Sequence, residues 1–414
     1  MMHKVKTAVC YLLGFIMAVG ITSCDKRQEA DLQPDKLLLI SFDGFRYDYL
    51  EKAETPHFDS LAAGGVRAEG LIPVFPSKTF PNHYAIATGL YPENSGFVGN
   101  TMYDPDWEEW YRIRDREAVE DSKWYGGEPI WNTLEKQGIR TGTMFWVGSE
   151  ANIQKMHPTY WKKFDDAMSF KARVDTVVKW LSYPGSRAIR FGTLYFEHVD
   201  AMGHRYGMDS DSVKAAIEES DRILGYLKNQ LRRRNLWKQM NLLMVSDHGM
   251  VDLAADKVIE LDQIITMDDA ERIIWGPLTL IQPKEGKKAA VYEALKAHEK
   301  HYRVYKKEEI PQQYHLKNHR RVPEIVMVAE LGYTVLDSEY KQPFLQSLPR
   351  ATHGYDPFEK AMQSFFIAFG PAFKKDTTVQ AFQSIHLYEL MNHLMGTTPA
   401  DNDGSLDSVR VLLK

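Results

Sequence analysis

From Leu37 onward, runs of consecutive apolar residues alternate with segments whose apolar positions recur every three to four residues. Leu37–Phe42, Ile139–Val147, Phe191–Phe196 and Asn241–Ser246 have strand length and no polar face. Pro56–Ala63, Pro129–Gln137, Arg173–Leu181 and Ser210–Arg234 have the helical period. In the last of these, Val213, Ile217, Leu224, Leu227 and Leu231 line one side. Strands apolar on both faces, separated by helices, predict an α/β fold built on a mostly parallel sheet with helices on both faces.

The texture changes between Leu253 and Glu324. Ile273–Ile281 reads as a strand, Lys287–Lys300 as a Lys-rich helix and Tyr302–Tyr305 as a short strand. Basic residues cluster at Lys306-Lys307 and His319-Arg320-Arg321. Residues 253–324 are therefore expected to form a small α+β insertion in a catalytic core of residues 37–252 and 325–414. Ile325–Ala329, Tyr333–Leu336 and Ser364–Phe369 are expected to resume the core as strands, and Ile385–Met395 to close it as a helix.

The N-terminus carries an address. Lys4 and Lys6 precede an apolar run from Ala8 to Gly20, too short to span a bilayer comfortably and fitting a secretory signal over residues 1–23. The run ends in Ile21-Thr22-Ser23-Cys24, which resembles the lipobox of bacterial lipoproteins, where the cysteine is acylated. The chain's two cysteines are Cys10, inside the signal, and Cys24. A mature chain starting at Cys24 has no internal disulfide, and its metal sites must use histidine and carboxylate. Residues 24–36 are mostly polar and read as a tether. The expectation is a secreted, membrane-anchored lipoprotein, periplasmic or at the cell surface. With 44% hydrophobic residues, 26% charged residues and a net charge of −5, the composition is that of an ordinary globular protein. It lacks the basic balance of a nucleic-acid-binding surface, so no duplex partner is expected. No protein partner is indicated.

The chemistry lies at the strand ends. Leu37–Phe42 runs into Asp43, Phe191–Phe196 is followed by Asp200 and His204, and Asn241–Ser246 runs into Asp247-His248. Ligands of open parallel sheets bind beyond the carboxyl ends of the strands, so these residues converge on one crevice. A single Asp in such a place also fits a helix cap; three such events, two bringing a histidine, point to metal. Asp200 and His204 share a face if the segment is helical. Histidine nitrogen with carboxylate oxygen and no thiolate suits catalytic zinc. Most of the 14 histidines, His57 and His157 among them, read as ordinary imidazoles.

Phe42-Asp43-Gly44, Pro76-Ser77-Lys78-Thr79-Phe80-Pro81-Asn82-His83-Tyr84, Gly99-Asn100, Asp200-Ala201-Met202-Gly203-His204, Ser246-Asp247-His248-Gly249-Met250 and His353-Gly354-Tyr355 follow in that order. In this the chain resembles the nucleotide pyrophosphatase/phosphodiesterases of the alkaline phosphatase superfamily, from about Leu37 to Phe373. The resemblance implies an alkaline-phosphatase-like fold and two zinc ions. One would be held by Asp43, Thr79, Asp247 and His248, the other by Asp200, His204 and His353. It implies Thr79 as the nucleophile that forms a phosphothreonine, and Asn100 as an amide donor to a phosphoryl oxygen; by itself Asn100 reads as a turn residue. Phe80 and Tyr195 match positions that line the nucleotide pocket in relatives, and Tyr160 is either a second stacking wall or part of the core. His83 and Tyr84 read as structural support.

Thr79 also makes sense physically. A threonine hydroxyl needs activation by a metal to attack phosphorus, and a helix expected from Pro81 would aim its N-terminus at a phosphoryl group. Near Thr79 the motifs offer one cation, Lys78, unless Arg112, Arg114 or the basic insertion reaches the pocket. The expected substrate is a small phosphodiester, most simply a nucleotide. Choline- or glycerol-phospholipid diesters and phosphonates are the alternatives on the same ligands, and a binding lipoprotein without activity is the alternative outside catalysis.

Overall fold

The computed structural model describes residues 36–347 and 350–414, so the signal, Cys24 and all of the tether but Lys36 lie outside the described residues. Lys36 already belongs to the first strand. An eight-stranded sheet forms the centre, in the order Thr377–Val379, Val66–Ala68, Phe366–Phe369, Met240–Val245, Lys36–Phe42, Phe191–Phe196, Thr141–Met144 and Tyr160–Lys162. Phe366–Phe369 runs antiparallel to both of its neighbours; the other pairings are parallel.

The first strand shows why these runs lack a polar face. Leu37 and Leu39 point into a core shared with the Leu387–Met395 helix, whereas Leu38, Ile40 and Phe42 point into a second core under the helices Phe170–Leu181 and Asp211–Arg233. Both faces are covered, and period-two alternation has nothing to mark. The long helix begins where Ser210 accepts the N–H of Val213, an N-cap contact.

Two expectations about the insertion are corrected. Ile273–Ile281 is two strands, Ala270–Ile274 and Leu278–Pro283, joined at Trp275-Gly276-Pro277. Gly276 has φ +131°, a conformation that favours glycine. Ile325–Ala329 does not return to the central sheet. It lies between Leu278–Pro283 and Tyr302–Lys306 in a four-stranded antiparallel sheet, and Thr334–Leu336 pairs with Val258–Glu260. The four-stranded sheet thus takes in residues past Glu324. The cause lies in its packing: Ile325 and Met327 face the insertion's own core, and Val326 and Val328 face the main one. A strand buried on both sides looks the same in either sheet.

The basic cluster of the insertion is structural. Arg321 is buried, donates to Asp104 Oδ2 at 2.7 Å and to the carbonyls of Gly96 and Trp124, and Arg320 donates to Asp104 Oδ1. Arg320 also pairs with Asp106 at 3.1 Å, so two carboxylates answer the two guanidiniums, and these bonds tie the insertion to the core. Exposed Arg112 lies over the Trp110 ring at 4.7 Å.

Candidate active site

Three parallel strands deliver their following residues to one place, as the strand-end rule requires. Asp43 follows Lys36–Phe42, Asp247-His248 follow Met240–Val245, and Asp200 and His204 sit on the His198–Tyr206 helix after Phe191–Phe196. Gly44 permits the tight assembly. Its φ is +65°, a Cβ there would meet Asp200 at 2.8 Å, and its N–H donates to Asp247 Oδ1.

His248 Nε2 lies 3.0 Å from Asp247 Oδ2 and 3.6 Å from Asp43 Oδ1. His204 Nε2 is 3.4 Å and His353 Nε2 3.9 Å from Asp200 Oδ1. The rings of His248 and His353 stack at 3.5 Å, so the two clusters adjoin. Potential ligand atoms of Asp43, His83 and Asp247 lie within 4.8 Å of one another, as do those of Asp200, His248 and His353. His83 is nonetheless a poor ligand. Its Nδ1 lies 2.9 Å from the Thr79 carbonyl and its Nε2 2.8 Å from Ser41 Oγ, which occupies both nitrogens. The other three histidines follow a common pattern. Nδ1 of His204, His248 and His353 sits 2.8–2.9 Å from the carbonyls of Ala351, Gly249 and Ser77 respectively. Donation from Nδ1 fixes the tautomer and leaves Nε2 with its lone pair inward, the usual arrangement of a metal-binding imidazole.

The carboxylates carry the complementary signature. Asp43 Oδ1, Asp200 Oδ1 and Asp247 Oδ2 are buried without a hydrogen-bond donor. Burial and the neighbouring Asp247 and Asp200 push the Asp43 carboxyl well above the usual range. Burial likewise raises Asp200, against the pull of His204. Three converging carboxylates with orphaned oxygens need positive charge. An oxygen- and nitrogen-donor set of this kind fits zinc.

Thr79 is the first residue of a helix, Thr79–Thr88, which begins two residues earlier than expected, and no side chain of Lys78 caps it. Its Oγ1 is 3.3 Å from His248 Nε2. Asn100 Oδ1 accepts the Phe80 N–H at 2.9 Å, which orients the amide and leaves its NH2 for another acceptor. Lys78 sits against the His353-Gly354 turn; a Cβ on Gly354, whose φ is +110°, would lie 2.9 Å from Nζ. Burial lowers the Lys78 pKa to about 8, with Asp200 opposing.

The Ser77 segment explains how His353 arrives. Besides the His353 contact with the Ser77 carbonyl, Ser77 Oγ donates to the Tyr355 carbonyl and accepts the Gly354 N–H. The loop before the nucleophile thereby grips a turn some 276 residues away.

The aromatic expectations divide. Phe80 is half-buried against Phe97 and Tyr111 beside Thr79. Tyr195 reaches the site in another capacity, as its hydroxyl donates to Asp43 Oδ2. Of the two readings of Tyr160, its contacts favour the packed one: it stacks on Trp180 at 5.8 Å, and its hydroxyl donates to the Arg187 carbonyl. It is paired with Gly142, which is paired with Gly192, three residues before Tyr195. At about 3.3 Å per residue, Tyr160 lies roughly 10 Å below the level of Tyr195. Phe164, two residues past its strand's end, is 39% exposed, 6.2 Å from the Tyr195 ring and 5.3 Å from Phe145. The strand-end rule that selects Asp43 would have favoured Phe164 over Tyr160.

A threonine at a helix N-terminus beside adjoining carboxylate–histidine clusters, on an alkaline-phosphatase-like α/β fold, defines a hydrolase of phosphate esters or anhydrides. The family model for type I phosphodiesterase / nucleotide pyrophosphatase matches residues 37–356. The chain is 39% identical to ectonucleotide pyrophosphatase/phosphodiesterase family member 5 of Homo sapiens, over 98% of this chain and 83% of that protein. It is 36% identical to the bis(5'-adenosyl)-triphosphatase enpp4 of Xenopus laevis, over 96% and 86%. The solved murine ectonucleotide pyrophosphatase/phosphodiesterase 5 superposes with a TM-score of 0.87 at 38% identity, covering 92% of this chain and all of that one. An inactive threonine-to-alanine variant of the murine protein has been solved in complex with AMP. The chain belongs to the type I phosphodiesterase / nucleotide pyrophosphatase family.

Proposed function

We propose that the chain is a two-zinc phosphodiesterase that cleaves nucleotide phosphodiester or pyrophosphate bonds through a phosphothreonine on Thr79. The observation that carries this reading is the set of three orphaned carboxylate oxygens facing three Nδ1-anchored histidines beside the Thr79 hydroxyl. Asp43, Thr79, Asp247 and His248 would hold one ion and Asp200, His204 and His353 the other. Bound zinc would lower the pKa of the Thr79 hydroxyl and neutralise charge on the phosphoryl oxygens. Thr79 attacks phosphorus and the first alcohol or nucleotide leaves; water then releases the second product from Thr79. The Asn100 amide, oriented by the Phe80 N–H, donates to a non-bridging oxygen. Tyr195 positions Asp43.

The nucleotide assignment draws on the relatives: one is named for a bis(5'-adenosyl) substrate and another was solved with AMP. Within this chain, Phe80 and Phe164 supply aromatic surface at the rim. A nucleoside diester is expected to be hydrolysed faster than a phosphocholine ester, a phosphomonoester or a sulfate in a chromogenic panel. Phe80→Ala and Phe164→Ala are each expected to raise KM for the nucleoside diester some 5- to 150-fold, the range for loss of about 1–3 kcal/mol of stacking. A small diester without a base should respond little. Equal losses on both diesters would make these rings pocket walls only, and faster turnover of the phosphocholine ester would reassign the substrate to phospholipids.

Acylation of Cys24 after removal of residues 1–23 is part of the same reading. Cys24→Ala is expected to move the protein from the membrane fraction to the soluble fraction after a high-salt wash, which strips electrostatic contacts. Retention through that wash would refute the lipid anchor.

A further inference from the structure

Arg173, on the Phe170–Leu181 helix, is fully buried beside the active-site end of the Phe191–Phe196 strand, and neither metal cluster uses it. Its guanidinium lies over the rings of Phe145 and Phe170, at 4.9 and 5.0 Å. Nε donates to the Met168 carbonyl at 3.0 Å, and Nη1 to the Tyr195 carbonyl at 3.0 Å. Nη1 and Nη2 also take the two carboxylate oxygens of Glu197, at 2.5 and 2.9 Å.

A guanidinium buried among apolar side chains is a weak source of stability, since apolar residues of similar volume often serve a core as well. What the planar fork adds is geometry, because a bidentate pair fixes both the plane and the direction of its carboxylate. The partners of Arg173 sit where the strand hands over to the ligand-bearing helix. Pairing with the neighbouring strand ends at Met144 and Leu194, and Phe145 then turns off with φ +64°. Arg173 donates to the Tyr195 carbonyl, one residue beyond that last pair. Glu197 is the N-cap of the His198–Tyr206 helix, and its carbonyl accepts the Ala201 N–H. An N-cap side chain ordinarily accepts helix N–H groups; that of Glu197 accepts none, and Arg173 holds it instead.

Asp200 and His204 share one face of this helix, so a rotation of its first turn moves both ligands together. The Asp200 N–H, donating to the Asp43 carbonyl at 3.1 Å, pins that turn at one point. One point leaves rotation about it free, and the Arg173–Glu197 pair supplies a second. We infer that Arg173 is a positioning residue which, acting through Glu197, aims Asp200 and His204 at the ion they share with His353. The inference rests on the two-zinc reading above.

The test loads the full chain with zinc and titrates it with a graded chelator, which reads the affinity for each ion without any assay of turnover. Glu197→Gln and Arg173→Met are each expected to weaken one of the two ions about 10- to 100-fold, the cost of losing an outer partner of a metal site. Arg173→Lys, which keeps the charge without the fork, should recover only part of that loss. Because Arg173 acts through Glu197, the double variant should lose no more than the worse single one. Added to His353→Ala, Glu197→Gln should leave the remaining ion held as before, which assigns the loss to the Asp200, His204 and His353 cluster. Variants that melt earlier yet keep both ions at parental affinity would reduce the pair to a structural contact and overturn the inference. So would additive losses, or a loss at the ion that survives His353→Ala. Should Arg173→Met fail to fold, Glu197→Gln decides alone, since the amide has the shape of the carboxylate and the side chain is 25% exposed. A parent chain that never binds two ions defeats the two-zinc reading itself, whereas a two-ion parent with unmoved variants defeats only this inference.

Discussion

Thr79→Ala is expected to lower turnover of a nucleoside diester by roughly four to six orders of magnitude, removal of a serine nucleophile costing about 2 × 10^6 in kcat. The melting temperature and metal content should scarcely change. Thr79 is only partly buried at a helix N-terminus, and the carboxylates and histidines around it are anchored independently of its hydroxyl. A truncation of this kind away from the core costs about 1 kcal/mol or less. Thr79→Ser retains a hydroxyl at the same position and should keep a measurable fraction of the rate. The two variants thus separate chemistry from folding. An alanine variant with near-parental turnover would sink the phosphothreonine route.

His353→Ala is expected to reduce the bound zinc from two ions per chain to one and to lower activity by at least about 100-fold, since even outer-sphere partners of a metal site cost 10- to 100-fold when removed. Chelation should silence the parent protein, and added zinc should restore the parent but not the variant. The loss follows from position. His353 Nε2 faces Asp200, and its ring packs on His248. Elemental analysis of the purified proteins, run beside the diester assay, checks both parts. A parent chain that binds a single ion, or prefers calcium, would show the ligand assignment to be wrong.

Much of this site was legible because chain order and geometry coincide for a parallel sheet. Each strand ends on the same edge, so a polar residue just beyond an apolar run is already placed, and Asp43, Asp200, His204, Asp247 and His248 follow from that rule alone. Residues outside the rule behaved differently. His353 is marked by the resemblance alone, because no local pattern singles it out and its partner is the backbone of Ser77. Only its aromatic character marks Tyr160 as a possible pocket wall. Its register puts it far below the level of Tyr195, and Phe164 takes the place beside Tyr195.

The sequence by itself determined the central strands Lys36–Phe42, Phe191–Phe196 and Met240–Val245, the long helix Asp211–Arg233, and the carboxylates and histidines at the strand ends. These are properties of periodicity and local order, which one chain carries in full. The tertiary structure decided which sheet each doubly buried strand joins, as Ile325–Ala329 shows, since an apolar run has no memory of its partner. It also decided that Arg320 and Arg321 serve Asp104, that His83 is held at both nitrogens while His204, His248 and His353 each keep one inward, and that the Tyr195 hydroxyl serves Asp43. These are pairings across long sequence separations, where a charge or a hydrogen bond finds its partner only after packing has fixed the distance between them.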